Sequence, residues 1–158
     1  MNLKQKVKLI RGGKLSAVDN LLAFSKRIAT PETKDLNIFL SLNENALDRA
    51  KSIDKRIKEG GDVGKLAGLC FALKSNICCK GLECNCASKV LEGFVSPYNA
   101  TVVDKLLAED AIVLGMVNMD EFACGASGET SSFGPTKNPR NLNLIPGGSS
   151  SGPAADRK

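Results

Sequence analysis

The sequence predicts an α/β fold with parallel strands, and three observations carry that prediction. Residues 66–73 and 111–115 are near-continuous apolar runs, long enough for buried strands and too short for ordinary helices. Between them, residues 99–109 place Val102, Val103, Leu106 and Leu107 at helical spacing. A helix joining two buried strands is a βαβ unit, and such units run their strands parallel. Both apolar runs also end in polar residues, Lys74-Ser75-Asn76 and Asn118. Functional groups of parallel sheets collect at those carboxyl ends.

Taken in order, the chain begins with a helical region. Ser16 is a hydroxyl cap, with Asp19 in the first turn behind it. Val18, Leu21, Leu22 and Ile28 then keep helical spacing until Pro31, which is expected to stop the helix. Residues 36–40 read as a short strand. A second helix follows with Asn43 as its cap; Leu47, Ala50, Ile53, Asp54 and Ile57 share one side, and Gly60-Gly61 ends it. Residues 1–63 thus form an N-terminal helical region that packs on a neighbour or recognises a partner, and residues 64–158 form the first part of the α/β core. Beyond the second buried strand, residues 125–136 are dense in glycine and hydroxyls. A loop of that length usually has a task, such as lining a pocket. The last motif is Pro146-Gly147-Gly148-Ser149-Ser150-Ser151-Gly152, where glycines let the main chain approach a ligand and three serines supply nucleophiles or relays.

Composition narrows the chemistry. The 158 residues carry 22 basic and 17 acidic side chains, a net charge of +5 with no block of one sign, so direct nucleic-acid binding is only weakly suggested. No apolar run reaches the length of a membrane span, and Met1-Asn2-Leu3-Lys4-Gln5-Lys6 lacks the apolar centre of a signal peptide. A cytoplasmic location is expected. Six cysteines then read as free thiols. Cys78, Cys79, Cys84 and Cys86 crowd together, but their spacing matches no paired zinc motif and reads as incidental thiols on a loop; Cys70 and Cys124 read as small core residues. The chain has no histidine, which removes histidine-based triads, histidine bases and histidine zinc sites. Proton transfer falls to a carboxylate, a cysteine or a lysine. Lys74, at the end of an apolar strand, is the candidate: desolvation lowers a lysine pKa, and a neutral lysine beside a serine can act as a base. The competing reading is a lysine that reaches solvent or pairs with a carboxylate such as Asp120.

These residues carry a resemblance. Gly68-Leu69-Cys70-Phe71-Ala72-Leu73-Lys74-Ser75-Asn76-Ile77, Asn118-Met119-Asp120-Glu121-Phe122-Ala123, Gly134-Pro135-Thr136-Lys137-Asn138-Pro139 and the Gly147-Gly148-Ser149 motif resemble, in order, the signature of the amidase-signature hydrolases. The Asn-Met-Asp-Glu-Phe run, with Cys86-Ala87-Ser88-Lys89 and Ser96-Pro97-Tyr98, is most similar to A subunits of glutamyl-tRNA(Gln) amidotransferases of archaeal type.

The resemblance implies the amidase-signature fold, a mixed and largely parallel sheet flanked by helices. It also implies a serine–serine–lysine triad. Lys74 matches the general base, and Ser149 the bridging serine after a cis peptide bond. Ser127 and Gly128 match substrate contacts. The acyl-forming serine is expected beyond Lys158, and the chain is read as an amino-terminal fragment, inactive alone. The implied whole enzyme releases ammonia from glutamine and works with B and C subunits. The B subunit uses ATP and Mg to amidate Glu-tRNA(Gln), so no cofactor falls to these residues and tRNA is met through the complex.

Two departures stand out. Ser75 replaces the aspartate of the usual Lys-Asp-Asn, and Pro153-Ala154-Ala155-Asp156 replaces the usual Ser-Ala-Ala-Ala helix, so no buried helix is expected there. The alternatives are a general amidase acting on small amides, an anion-binding nest at Gly147-Gly148-Ser149, and a non-catalytic fragment whose N-terminal helices bind a partner.

Overall fold

The computed structural model describes residues 1–156. It opens on a helix absent from the sequence expectation, α1 (Leu3–Arg11). The Asn2 side chain accepts from the Gln5 amide and the Gln5 side chain from the Asn2 amide, a reciprocal cap. Only Ile10 of this helix is buried, so its apolar pattern is too thin to announce it. Next comes α2 (Ala17–Ile28), which starts as expected: Ser16 Oγ accepts from the Asp19 amide at 2.8 Å. The helix stops at Ile28, ahead of Pro31 as expected, but Pro31 does not end helical structure altogether. It takes the first position of a further short helix, α3 (Pro31–Asp35), capped by Thr30, because proline has no N–H to lose at that position.

The first strand, β1 (Phe39–Leu42), starts later than residue 36. Leu36 and Asn37 are used in leaving α3, with Asn37 at φ 52°. In α4 (Ala46–Lys58) the cap position belongs to Asn45, not Asn43. Asn43 instead donates through Nδ2 to the Val113 carbonyl at 2.9 Å and accepts from the Asn45 amide, tying the helix to the sheet. β2 (Cys70–Lys74) is shorter than its apolar run, since residues 65–68 form a turn. The run is apolar because it is buried before it becomes extended: Ala67 and Leu69 both lie in the core. After a long connection, α5 (Thr101–Ala108) leads to β3 (Ile112–Val117), which starts one residue later and ends two residues later than residues 111–115 suggest. The described chain ends in α6 (Ser151–Ala155), which begins two residues before Pro153 and buries Ser151, Gly152 and Ala155. A short buried helix therefore does form, against the expectation.

The sheet order is β1-β3-β2. β2 and β3 are parallel, paired from Cys70 opposite Ile112 to Lys74 opposite Val117 with a one-residue register shift between Phe71 and Ala72, while β1 runs antiparallel to β3. The parallel pair joined through α5 is the predicted βαβ unit, and the antiparallel partner makes the sheet mixed. Every residue of β3 is buried. On one face Ile112 and Leu114 pack with Ile10, Ala17, Leu21, Ala50 and Ile53 of the N-terminal helices. On the other, Val113 and Met116 pack with Leu73, Cys79 and Val103. Residues 1–63 thus contribute a strand to the sheet and one wall of its core.

Polar residues fasten this arrangement. Asp54 of α4 accepts from the Ala17 and Val18 amides at 2.6 and 3.0 Å, satisfying donors that the start of α2 leaves open. Asp110 accepts from the Gly64 amide and pairs with Arg56; burial raises its pKa, but these donors outweigh burial and hold it below the usual range. Both parallel strands stop at one level, so Lys74 and Asn118 emerge side by side.

Candidate active site

At that edge Lys74 Nζ donates to Ser149 Oγ at 2.7 Å, across 75 positions of sequence. Lys74 is half-buried. Desolvation pushes its pKa below the ordinary lysine value, and the Asp120 carboxylate opposes that shift in part. A lysine poised this way releases its proton more readily than a free one and can accept one from a hydroxyl at hydrogen-bond distance. The Gly148–Ser149 peptide bond is cis.

Asp120 holds the frame around this pair. It is fully buried. Its Oδ1 accepts from the Gly128 amide at 2.9 Å and the Thr130 hydroxyl at 3.0 Å, and Oδ2 accepts again from Gly128 at 3.1 Å. Burial raises its pKa, but the donors from Gly128, Thr130 and Ser127 win and keep the group ionised below the usual carboxylate range. The Asp120 amide in turn donates to the Ser149 carbonyl at 2.9 Å. One residue therefore sets both the loop at 125–130 and the height of Ser149. Two glycines make the approach possible. A Cβ on Gly148 would overlap Asp120 Oδ2, and one on Gly128, which sits at φ +83°, would lie 2.5 Å from the Ser151 Cβ.

Further in, Asn118 is also fully buried. Its Nδ2 donates to the carbonyls of Asn37 and Gly134 at 3.2 and 3.0 Å, binding three segments at one point. Thr136 and Ser151 share a hydrogen bond at 3.1 Å. Ser127 Oγ accepts from the Glu129 amide, so that hydroxyl turns into its own loop. Gly147-Gly148-Ser149 is a poor nest for an anion: the Asp120 carboxylate lies directly against Gly148.

The amidase family model matches residues 19–156. The chain belongs to the amidase family. Among its relatives are glutamyl-tRNA(Gln) amidotransferase A subunits. The one from Cenarchaeum symbiosum is 53% identical over 128 residues, covering 81% of this chain and 27% of that protein. The one from Methanobrevibacter smithii is 47% identical over 156 residues, covering 98% of this chain and 34% of that protein. The crystal structure of the A subunit from Thermotoga maritima superimposes with a TM-score of 0.75 at 34% identity, over 94% of this chain and 30% of that one. The chain thus spans about a third of the length of the curated relatives it matches.

Within this amidase domain, sequence reasoning named Lys74 and Ser149, and the structure brings them together. It treated Asp120 only as a possible ion partner and missed its role as the acceptor for the 125–130 loop. The signal was present, an acid five residues ahead of a run of hydroxyls and glycines, but acceptor geometry is not visible in spacing. Cys124 was expected in the core and is exposed, because the chain after β3 runs over the surface. Cys70 is half-buried, and burial pushes its thiol up to about 12. Among the described residues, no three His, Cys, Asp or Glu side chains come together to hold a metal ion, and no helix is long and apolar enough to cross a membrane.

Proposed function

We propose that this chain forms part of the glutaminase site of a glutamyl-tRNA(Gln) amidotransferase A subunit. The observation that carries the proposal is the Lys74–Ser149 hydrogen bond at the carboxyl end of a parallel strand, within a domain similar to such subunits. In this scheme an acyl-forming serine, placed beyond Gly152 by the family pattern, attacks the glutamine amide carbon. Ser149 takes the proton of that serine and passes its own to Lys74. The lysine then returns a proton through Ser149 to the departing ammonia. Water repeats the cycle to release glutamate. In this scheme the main chain at Ser127 and Gly128 borders the substrate, since the Ser127 hydroxyl and the Gly128 amide are engaged within the loop and by Asp120. Ammonia passes to a B subunit that activates Glu-tRNA(Gln) with ATP and Mg, with a C subunit completing the complex in the cytoplasm.

The test is a graft. Residues 64–152 replace the matching segment of the Methanobrevibacter smithii A subunit, and ammonia release from glutamine is measured with its partner subunits. The graft should retain glutaminase activity. Lys74→Ala or Ser149→Ala should lower it about 10²- to 10⁴-fold. Hydrolysis of simple amides without glutamine turnover would replace this proposal with a general amidase.

A further inference from the structure

The cysteine cluster lies beside the lysine strand, and its geometry is that of a reactive pair. The chain turns tightly between Cys78 and Cys84: the Leu82 amide donates to the Cys79 carbonyl, and Gly81 and Cys84 donate to the carbonyls of Ser96 and Phe94. That turn sets Cys78 Sγ 3.8 Å from Cys84 Sγ, in van der Waals contact. A disulfide needs about 2.05 Å, so side-chain rotation has less than about 2 Å to close. The two thiols are not alike. Cys84 is buried and its Sγ lies 3.3 Å from the Ser75 carbonyl, one residue from Lys74. Cys78 is half-buried, with solvent access.

We propose that Cys78 and Cys84 are a redox-active dithiol that closes to a disulfide by exchange with a low-molecular-weight disulfide. Cys78 attacks first. Burial raises its pKa, but hydrogen bonds from the Ser96 and Tyr98 hydroxyls and the Cys84 thiol overcome burial, and the net direction is down. Its thiolate attacks one sulfur of the reagent; that sulfur joins Cys78, the reagent S–S bond breaks and one reagent thiolate leaves. Burial, and then the neighbouring Cys78 sulfur, hold the Cys84 thiol up at about 12. Capping Cys78 removes the second of these causes. Cys84 then gives its proton to solvent and attacks the Cys78 sulfur, expelling the second reagent thiolate. Two electrons leave the protein pair and the reagent disulfide becomes two thiols. Closure also withdraws the Cys84 S–H from the Ser75 carbonyl, which keeps the Cys86 amide at 3.0 Å. The pairing follows from the sulfur geometry, the order of attack from the two thiols' surroundings, and neither depends on the glutaminase proposal.

The full 158-residue chain is incubated with oxidised glutathione, free thiols are blocked with N-ethylmaleimide, and the protein is digested with trypsin. Cleavage after Lys80 falls between the two cysteines, so a disulfide joins two peptides, and tandem fragmentation assigns the sulfurs. The expected result is loss of three alkylatable thiols, two of them in a Cys78–Cys84 link and the third at exposed Cys124, which holds a glutathione that nothing resolves. The link should persist in a Cys79→Ser/Cys86→Ser variant. In Cys84→Ser, Cys78 should retain one glutathione. A glutathione left on Cys78 in the wild type, or a link dominated by Cys79 or Cys86, overturns the proposal. So does a Cys78–Cys84 link that forms equally fast in urea-unfolded chain, because the folded geometry would then contribute nothing.

Discussion

The N-terminal helices and the loop around Asp120 are both packed against the same sheet, yet they are held by opposite means. In the first region, Ile10, Ala17, Leu21, Ala50 and Ile53 close on Ile112 and Leu114 as an apolar wall, with polar groups such as Asn43 and Arg49 fastening it at the margin. In the second, the chain from 118 to 136 has one short 3₁₀ turn at Glu121–Ala123 and little apolar filling. It keeps its shape by aiming backbone and hydroxyl donors at the buried Asp120 carboxylate, while buried Asn118 donates to the Gly134 carbonyl. An apolar wall tolerates exchange of one hydrocarbon for another of similar volume. A polar hub does not, because each donor is left without water if its acceptor goes. That inflexibility suits a region that must hold Ser149 and Lys74 within hydrogen-bond reach.

The largest expected effect tests the apolar side. Ile53 is 1% exposed. Ile53→Ala should lower unfolding free energy by about 2–5 kcal/mol through lost burial and the cavity left behind. The measurement is the urea midpoint at unchanged slope. The loss should be the same at every pH where the protein is folded, since no titrating group is involved. A loss that varies with pH would show that α4 is held by its charges instead.

Asp120→Asn tests the polar side and should come next, at about 2–3 kcal/mol near neutral pH. Asparagine keeps one acceptor and turns an NH₂ group toward donors that already point inward. Here the dependence on pH has a definite sign. The Asp120 pKa is lowered in the folded state, so its contribution is complete above the unfolded carboxylate value of about 3.9 and is lost as pH falls through the lower folded value. The gap between wild type and variant should therefore stay constant from neutral pH down to the ordinary carboxylate range and close only below it. A gap that stays open in acid would mean that shape, not charge, is what the loop requires.

How much of this was legible in the sequence follows the same division. The βαβ unit was readable because Val102, Val103, Leu106 and Leu107 keep one period and residues 111–115 keep another, and burial imposes period directly. Ser16 was readable as a cap because a hydroxyl ahead of an acid serves the nearest amides. The misassigned residues act at a distance. Asn43 stands where a cap would, yet its amide is spent on Val113, 70 positions away. Leu36 looks like the start of a strand, but leaving α3 consumes it. At the site, Lys74 and Ser149 were found through the family's motif order, since nothing local joins residues 75 apart. Asp120 was seen, but its part was not, because a hub is defined by donors that arrive from 127 to 130.

Ser75 gives the smallest effect and the finest comparison with Asp120. It is fully buried, its amide donates to the Val117 carbonyl at 3.1 Å, and its carbonyl accepts from the Cys86 amide. The backbone is satisfied, but Ser75 Oγ has no partner. A buried hydroxyl in that state is a net cost, so Ser75→Ala should range from neutral to a gain of about 1 kcal/mol, the small void offsetting part of the relief. The urea midpoint should stay level or rise. A fall of more than about 1 kcal/mol would show that the hydroxyl holds a bound water and belongs to the polar hub. The two buried polar side chains, Ser75 and Asp120, would then differ in strength and not in kind. A level or rising midpoint leaves Asp120 as the acceptor on which the loop depends and Ser75 as a polar group that the lysine strand carries without using.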